Sequence, residues 1–343
     1  MSPLPKKTRT YLATSIKLTL VGAFLYLLAS KGLISVEKTR EAFGHPEYVI
    51  PAVLVLTLGN CASAIRWQIL LRAQGIRLAW GRMIQLHLVG LFFNFLIPGA
   101  VSGDLVKAFY VGKEFKGMRA QAFGSILFDR IVGLAALIVL SATALLIHLR
   151  ELGGTPLLSA IQAFMGIAAT LVIAFFTYLF LVREHHDPLL IFLRKMEVRY
   201  SHRTVFSSVT RIYEGVRHYH HHRSAVALVL LLSLAIHLSV GWACMNFAHA
   251  LGELHLSLNS LYVVVPIGLV LTSVPVAPAG VGTGHAAFLT LFHLIGSERG
   301  ADVFSLMVIS NLLTGLIGGL VYLQFKAHNP DIGMALAGTP EKA

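Results

Sequence analysis

The sequence has few charged residues and only two cysteines. Charged residues make up 13% of the 343, against about 25% in soluble domains. No polar stretch reaches domain size, which excludes a soluble globular protein. The cysteines, Cys61 and Cys244, lie in apolar segments and supply neither a disulfide framework nor a metal-site spacing. Walker A, zinc-protease and serine-nucleophile motifs are missing as well. The sequence therefore predicts neither an enzyme nor a bound cofactor.

Apolar sequence is abundant instead. Apolar residues make up 56% of the chain, and the mean hydropathy is +0.72. One crossing of a bilayer needs roughly 20 apolar residues. Six segments reach that length, namely 11–30, 48–71, 119–149, 157–182, 224–250 and 303–325. The sequence predicts an all-α, polytopic membrane protein that forms a single transmembrane domain over residues 1–343. Basic residues precede the first span without a cleavage site, so we expect an uncleaved first helix.

Two further apolar regions, 83–111 and 258–295, are interrupted by proline and glycine. The first is interrupted at residues 97–99 and again at 102–104, and the second across 275–284. Proline and glycine at this density stop a helix. Each region is therefore either a re-entrant helical hairpin or a pair of short spans, and the sequence does not separate these two possibilities.

The distribution of Lys and Arg predicts the orientation. With the N-terminus inside, 21 of the 28 Lys and Arg residues fall on the cytoplasmic side and five fall outside. Positive residues favour the cytoplasmic side of bacterial membranes. We therefore expect a bacterial cytoplasmic (inner) membrane protein with both termini in the cytoplasm. Residues 183–223 would form a basic, amphipathic cytoplasmic loop, and residues 327–343 a short tail.

In this orientation the two broken regions enter the membrane from opposite faces, as an inverted repeat requires. The first half would cover about residues 10–149 and the second about 157–326. The breaks at residues 98–104 and 278–284 are both rich in proline and small residues, and proline and valine recur at matching places. Chance similarity between two small-residue turns is the alternative explanation.

The broken regions are also where a ligand is expected. Helices that restart near Gly103 and Gly282 would present backbone N–H groups to an anion such as a phosphate, although a structural kink would explain the same residues. The candidate residues for a lipid head-group pathway are Asn94, Pro98, Ser102, Gly103, Asp104, Lys107, Asp129, Arg130, Pro278, Gly280, Gly282 and His285.

Four of these candidates carry a formal charge at neutral pH. Charges inside a membrane are costly and are usually paired or face a cavity. We expect Arg130 to pair with Asp104 while Lys107 meets a lipid phosphate. Alternatively, Asp104, Lys107, Asp129 and Arg130 all lie at the interface and extend toward water.

Other polar residues have simpler interpretations. Arg66 and Trp67 end the second span, where an interfacial anchor explains them. Asn94, His285 and Asn311 are typical of interhelical hydrogen bonds rather than ligands. The histidine run at 218–222 suggests a protonatable patch facing lipid, with a metal site as the alternative. We predict no metal site.

Several of these motifs resemble the lysylphosphatidylglycerol synthase transmembrane-region family, also called flippase-like. Residues 96–109 contain Pro-Gly, small residues and Gly-Asp, followed by a basic residue. Residues 128–133 are similar to the Asp-Arg-hydrophobic-Gly element of that family, and Arg66-Trp67 matches its Arg-Trp pair. Residues 275–288 resemble its second proline-glycine motif. The resemblance extends over roughly residues 10–325.

The sequence departs from the family pattern at two places. Lys107 stands where the family usually has Arg, which keeps the charge but loses the bidentate geometry toward phosphate. Gly284-His285 stands where an Arg-Glu pair is frequent. The protein resembles the flippase domain of multiple peptide resistance factors without their aminoacyl-transferase domain.

The resemblance implies lipid translocation between leaflets, with both re-entrant elements lining cavities for a head group. The expected partners are membrane lipids, either an anionic or zwitterionic phospholipid or a lipid-linked intermediate, and no nucleic acid. The alternative is a non-transporting partner of a lipid- or glycan-modifying membrane enzyme in envelope synthesis. A membrane-embedded transferase is a third, weaker hypothesis. The oligomeric state stays open, and a homodimer is among the states allowed.

Overall fold

The protein is almost entirely helical. A computed structural model describes residues 35–96, 102–147, 156–200, 204–273 and 280–328, and these contain twelve α-helices, two 3₁₀ turns and no strand. The helices are α1 (Val36–Phe43), α2 (Pro46–Ala73), α3 (Trp80–Leu96), α4 (Ser102–Glu114), α5 (Arg119–Ile147), α6 (Pro156–Leu181), α7 (Pro188–Arg199), α8 (Thr204–His218), α9 (Arg223–Ala250), α10 (Leu258–Thr272), α11 (Thr283–His293) and α12 (Gly300–His328). The predicted all-helical class is confirmed.

Five helices are long and apolar enough to cross a membrane. They are α2, α5, α6, α9 and the Gly300–Tyr322 part of α12. The ends of these helices lie close to those of five predicted spans, so a multi-pass membrane protein is confirmed. The sixth predicted span, 11–30, lies outside the described residues, and the count of six is not established.

The first broken region forms an antiparallel pair of helices, α3 and α4. Near the break, the amide of Gly103 donates a hydrogen bond to Oδ1 of Asn94 at 2.9 Å. At the far end, Nε of Arg82 in α3 contacts Oε2 of Glu114 in α4 at 3.0 Å. Residues 102–104, expected to be a second interruption, instead form the first turn of α4. Pro98 lies outside the described residues.

The second broken region gives another short pair, α10 and α11. The backbone φ angles of Gly280 and Gly282 are +69° and +90°, a conformation that favours glycine, and α11 begins at the residue after Gly282. Gly280 lies against the side chain of Thr272 at the end of α10. Pro278 lies outside the described residues.

None of the four helices in these two pairs is long enough to span a bilayer on its own. The helices α3, α4, α10 and α11 contain 17, 13, 15 and 11 residues. At the rise of an α-helix these are about 26, 20, 22 and 16 Å long, whereas the hydrocarbon core is about 30 Å thick. Re-entry of either pair into the membrane stays a prediction.

Two sets of four helices repeat along the chain. The helices α2 to α5 have 28, 17, 13 and 29 residues, and α9 to α12 have 28, 15, 11 and 29. Corresponding helices start at residues 46 and 223, 80 and 258, 102 and 283, and 119 and 300, so the offset between the sets is nearly constant. α2 packs on α9, α3 on α12, α10 on α5, α4 on α5, and α11 on α12. Exchanging the two sets leaves these pairings unchanged.

A glycine brings the helices of each short pair together at equivalent positions. A Cβ atom on Gly90 of α3 would lie 2.9 Å from the Lys107 side chain of α4. A Cβ atom on Gly268 of α10 would lie 2.6 Å from the Phe288 ring of α11. Small residues at helix contacts allow this close approach, so the same packing is used twice.

The predicted basic loop, 183–223, is folded into α7 and α8, which pack together. Asp187 caps α7 by accepting a hydrogen bond from the amide of Leu190 at 3.0 Å. Its carboxylate also accepts from the Tyr178 and Tyr213 hydroxyls and pairs with the buried Arg217 at 3.0 Å. Burial alone would raise the pKa of Asp187, but these four partners together hold that pKa below its usual value.

Candidate functional site

Asp104, in the first turn of α4, is the centre of a buried ion network. Its carboxylate lies 2.6 Å from Nζ of Lys107, which follows one turn later on the same face of α4. It also pairs with the guanidinium of Arg130 in α5, as the sequence predicts. The side chains of Asp104 and Lys107 are buried, whereas that of Arg130 is 48% exposed. Arg130 is therefore the accessible member of the network.

Asp129 points away from Arg130 and anchors a second helix. Its two carboxylate oxygens accept hydrogen bonds from Nε and Nη2 of Arg66 in α2, both at 2.8 Å. Nη1 of Arg66 donates to Oγ of Ser233 in α9 at 2.9 Å. Buried charges are tolerated when paired and hydrogen-bonded in this way. Consecutive residues of α5 thus attach it to α2 and to α4.

Arg66 and Trp67 are not interfacial anchors, and that interpretation is wrong. They lie about two turns before the end of α2 at Ala73. The Trp67 side chain is 1% exposed, and its indole N–H donates to Oγ of Ser125 at 3.2 Å. Both residues turn into the protein because charged groups lie there. Asp129 attracts Arg66, and the ring of Trp67 faces the Lys107 ammonium at 4.9 Å.

Lys107 does not reach outward as expected for a residue that meets a lipid phosphate. It is 7% exposed and is enclosed by Asp104, the Trp67 ring and the backbone near Gly90. Its charge balances Asp104 inside the protein. The expectation that Lys107 is the contacting cation is therefore not supported, and Arg130 is the more exposed of the two cations that pair with Asp104.

The spacing of the Asp-Arg-hydrophobic-Gly element has a structural reason. Gly133 lies one helical turn after Asp129, on the side of α5 where Arg66 approaches. A Cβ atom on Gly133 would lie 3.1 Å from Nη1 of Arg66. The carbonyl oxygen of Gly133 also lies 3.1 Å from Nε2 of His237 in α9. A larger residue at this position would push the guanidinium away from Asp129.

A cavity of about 380 Å³ lies between the two sets of helices. Residues of α2, α3, α5, α9, α10 and α12 line it. Its polar lining residues are Asn60, Ser63, Asn94, Arg130, His237, Thr272, Ser273 and Asn311. Of the described lining residues, Arg130 alone carries a formal charge at neutral pH. We call this space the central cavity.

The central cavity brings together only part of the predicted pathway. Asn94, Arg130 and Gly280 line it. Gly103 and Asp104 lie directly behind, bonded to Asn94 and Arg130 respectively. Lys107 belongs to the buried network around Asp104, and Asp129 forms the separate pair with Arg66. The backbone of Ser102 lies at the start of α4.

His285 and Gly282 fix the break between α10 and α11 and do not line the central cavity. Nδ1 of His285 accepts a hydrogen bond from the amide of Gly282 at 3.2 Å. Nε2 of His285 lies 3.1 Å from Oγ of Ser305. The predicted interhelical hydrogen bond of His285 is thus present, like the bond between Asn94 and Gly103.

Asn60 and His237 are cavity residues that the sequence interpretation missed. Nδ2 of Asn60 donates to Oδ1 of Asn311 at 3.1 Å, which confirms the interhelical role expected of Asn311. When the starts of α2 and α9 are aligned, Asn60 corresponds to His237, and aligning α5 with α12 makes Arg130 correspond to Asn311. Polar residues that recur at the offset of the helix repeat, within apolar spans, are the signal that would have found them.

The histidine run gives no metal cluster in the described part of the chain, where no three metal-binding side chains lie together. Nε2 of His218 and Nε2 of His222 are 3.2 Å apart. Burial, together with the charges of His218 and His221, lowers the pKa of His222. The run is therefore a set of imidazole rings in mutual contact at the end of α8.

The fold and site define a class: a polytopic helical membrane protein with two short helix pairs around a polar cavity that contains one arginine. The model of the family described as "Lysylphosphatidylglycerol synthase TM region" matches residues 14–321, and the chain belongs to that family.

Two curated relatives are both named UPF0104 membrane proteins. The chain is 27% identical over 188 residues to one from Pyrococcus horikoshii, covering 52% of each protein. It is 26% identical over 125 residues to one from Methanocaldococcus jannaschii, covering 36% of this chain and 37% of that protein. The chain thus spans about half or less of the length of these relatives. No solved structure matches.

Proposed function

We propose that this protein moves a lipid between the leaflets of the membrane, with the head group passing through the central cavity. The observation that carries the proposal is the position of Arg130. Its half-exposed guanidinium lines the central cavity, while its counter-ion Asp104 stays buried. Membership of the family supports a lipid-related membrane role. The proposed substrate class is an anionic or zwitterionic phospholipid or a lipid-linked intermediate.

The charges of the network favour an anionic group in the cavity. Asp104, Lys107 and Arg130 together carry one net positive charge, and the pair of Arg66 and Asp129 is neutral. A net charge acts strongly where little water screens it. A guanidinium binds phosphate oxygens through two parallel hydrogen bonds, so the head-group phosphate would contact Arg130.

The neutral residues of the central cavity complement this role. Asn60, Asn94 and Asn311 offer amide donors and acceptors, and Thr272 offers a hydroxyl. Such groups suit the hydroxyl or amine substituents of a phospholipid head group. The acyl chains would stay in the bilayer, so that the cavity receives only the polar end of the lipid.

The repeat of four helices supports transport through this cavity. We propose that α3–α4 and α10–α11 enter the membrane from opposite faces, as two halves of an inverted repeat. Broken helices at membrane depth expose backbone polar groups, which are tolerated inside protein or beside a water-filled cavity. Transporters built from inverted repeats commonly place their binding sites at such breaks. The N- and C-termini would face the cytoplasm.

The test is reconstitution in liposomes with a fluorescent phospholipid and a quencher confined to one leaflet. Transport predicts faster exchange of lipid than in protein-free liposomes. Arg130→Gln should lower the rate strongly, because the only formal charge among the described lining residues is lost. Asp104→Asn should lower it as well, since it releases Arg130 from its position. Lys195→Gln, which removes an exposed charge on α7, is the matched control.

Two results would contradict the proposal. Exchange no faster than in protein-free liposomes, across several lipid classes, would favour the non-transporting partner of a membrane enzyme. Rates unchanged by Arg130→Gln and by Asp104→Asn would remove the central cavity from the mechanism.

A further inference from the structure

A second cavity lies between α5 and α8, away from the central cavity. Its volume is about 710 Å³, and it is formed by the start of α5, the turn at Gly117 and one face of α8. None of the residues that line it lines the central cavity. It lies at the end of the helical bundle that carries α7 and α8. We call it the α5–α8 cavity.

The α5–α8 cavity has an excess of positive charge. Arg119 at the start of α5 lines it, as do Arg211 and His218 of α8, and all three are exposed. Glu214 is the single carboxylate among the described lining residues. Its Oε1 already accepts hydrogen bonds from Nη2 and Nε of Arg194 in α7, at 2.8 and 3.2 Å. Because Glu214 is paired with Arg194, the positive charges of Arg119 and Arg211 remain available to an anionic ligand in the cavity.

Arg211 is held in place by its own helix. Its Nε donates to the carbonyl oxygen of Ser207, and its Nη2 donates to Oγ of Ser207, both at 3.1 Å. These bonds occupy one side of the guanidinium. A positioned guanidinium loses less freedom on binding an anion than a mobile one, which favours a defined site over diffuse attraction.

Gln121 adds a hydrogen-bond acceptor that has no partner among the described residues. Its Oε1 is buried and makes no hydrogen bond to them, although Gln121 lines the α5–α8 cavity. Buried polar atoms are nearly always paired, because leaving one unpaired costs free energy. Gln74, in the same wall, instead donates to the carbonyl oxygen of Gly215 at 2.6 Å. Because Oε1 is buried in this conformation, the Gln121 amide would turn toward the cavity on binding. A ligand with a donor group beside its anionic group would then satisfy Gln121 and both arginines.

We propose that the α5–α8 cavity binds a phosphate ester that carries a neighbouring hydroxyl group. Glycerol phosphate is the simplest example. The phosphate would pair with Arg119 and Arg211, whose guanidinium groups suit phosphate oxygens. The hydroxyl would donate to Oε1 of Gln121, and the glycerol carbons would lie near Phe123 and Ile212, which also line the cavity. The ester is either a free metabolite or the head group of a lipid.

The full chain, purified in detergent, can be titrated by calorimetry with glycerol 3-phosphate, with inorganic phosphate and with dihexanoyl phosphatidylglycerol. We expect saturable binding of at least one of the two esters. The variant Arg119→Gln/Arg211→Gln should weaken it by about tenfold or more. The variant Lys195→Gln/Arg199→Gln removes two exposed charges from α7 and should bind like the wild type.

A second variant tests the hydroxyl contact. Gln121→Leu should weaken binding of the ester and leave binding of inorganic phosphate nearly unchanged, because only the ester has the donor group. Thermal unfolding without ligand shows whether each variant is folded. Both substituted arginines are exposed, so we expect Tm values close to that of the wild type.

The titrations also separate the two sources of the ester. Binding of glycerol 3-phosphate supports a soluble ester, and binding of dihexanoyl phosphatidylglycerol alone supports a lipid head group. Absence of saturable binding of either ester overturns the proposal, as does equal binding by the Arg119→Gln/Arg211→Gln variant. None of these outcomes depends on lipid transport, because the measurement is made in detergent.

Discussion

The two short helix pairs share a scaffold but differ in charge. When the starts of α4 and α11 are aligned, Asp104 corresponds to His285, and Lys107 corresponds to Phe288. The first pair buries a carboxylate and an ammonium 2.6 Å apart. The second places a histidine 3.1 Å from the hydroxyl of Ser305, with an aromatic ring in place of the lysine.

This difference shows that the scaffold does not require the charges. In α10, Gly268 lies against the ring of Phe288 of α11, and in α3 the equivalent Gly90 lies against Lys107 and Gly103 of α4. Both pairs are therefore held by close contacts at a glycine. Burying ions costs desolvation energy that apolar packing avoids. Under the proposed function, the ion network of the first pair serves binding, which the second pair supports with neutral groups.

The largest expected effect is on stability. It follows from replacing a charged residue of the first set of helices by the uncharged residue found at the equivalent position of the second set. Arg66 corresponds to Ala243 when the starts of α2 and α9 are aligned. Arg66→Ala leaves the carboxylate of Asp129 buried without its bidentate partner. Losing one member of a buried pair costs about 3–5 kcal/mol, so we expect a large fall in the free energy of unfolding, measured by denaturation in mixed micelles.

The double variant Arg66→Met/Asp129→Leu is the control, because it removes both charges and keeps the volume. It should recover most of the lost stability, since apolar replacement of a buried pair is often close to neutral. An Arg66→Ala variant as stable as the wild type would show that the pair does not hold α2 against α5.

The next prediction compares substitutions of the two glycines at which the helices of each short pair meet. Gly268→Ala places a methyl group 2.6 Å from the ring of Phe288. Overpacking of this kind costs about 1–3 kcal/mol. Gly90→Ala places its methyl group 2.9 Å from the Lys107 side chain, and so it should also disturb the ion network. We expect both variants to lower Tm, and Gly90→Ala to lower the lipid exchange rate more.

Equal exchange rates in the two glycine variants, at matched amounts of folded protein, would contradict the asymmetry between the pairs. Gly166→Ala in α6 is a suitable control, because no atom of the described residues lies within 4 Å of the added Cβ.

Much of the fold was predictable because its physical causes are local. Each span needs a continuous apolar run, and five of the predicted runs correspond to long apolar helices. Gly280 and Gly282, which have positive φ, directly precede α11, which begins at Thr283. The pairing of Arg130 with Asp104 was also predictable, since charges within a membrane protein need a partner.

The remaining features depend on helix rotation and on distant contacts. An Arg-Trp pair near the end of an apolar run is equally typical of an interfacial anchor, so the burial of Arg66 and Trp67 has no local signal. Which of Lys107 and Arg130 reaches the central cavity depends on how α4 and α5 are rotated. The folding of residues 183–223 relies on Asp187, near the start of this segment, meeting Arg217 near its end.

A smaller effect tests the neutral polar group of the second pair. His285→Phe keeps a ring of similar size and removes the contacts to the Gly282 amide and to Ser305. The loss should cost about 1 kcal/mol, visible as a small decrease in Tm. Lipid exchange should fall much less than in Arg130→Gln, because His285 does not line the central cavity. A loss of exchange equal to that of Arg130→Gln would place His285 in the pathway after all.

The smallest effect is expected when the first pair keeps its charge. Lys107→Arg retains a cation beside Asp104 and over the ring of Trp67, so the exchange rate of an anionic lipid should stay close to that of the wild type. Lys107→Met, the matched control, gives α4 an apolar residue where α11 has Phe288. It lowers the net charge of the network from +1 to zero and should slow exchange of an anionic lipid more than of a zwitterionic one. Equal rates for Lys107→Met and Lys107→Arg would mean that the buried ammonium contributes packing and no electrostatic attraction.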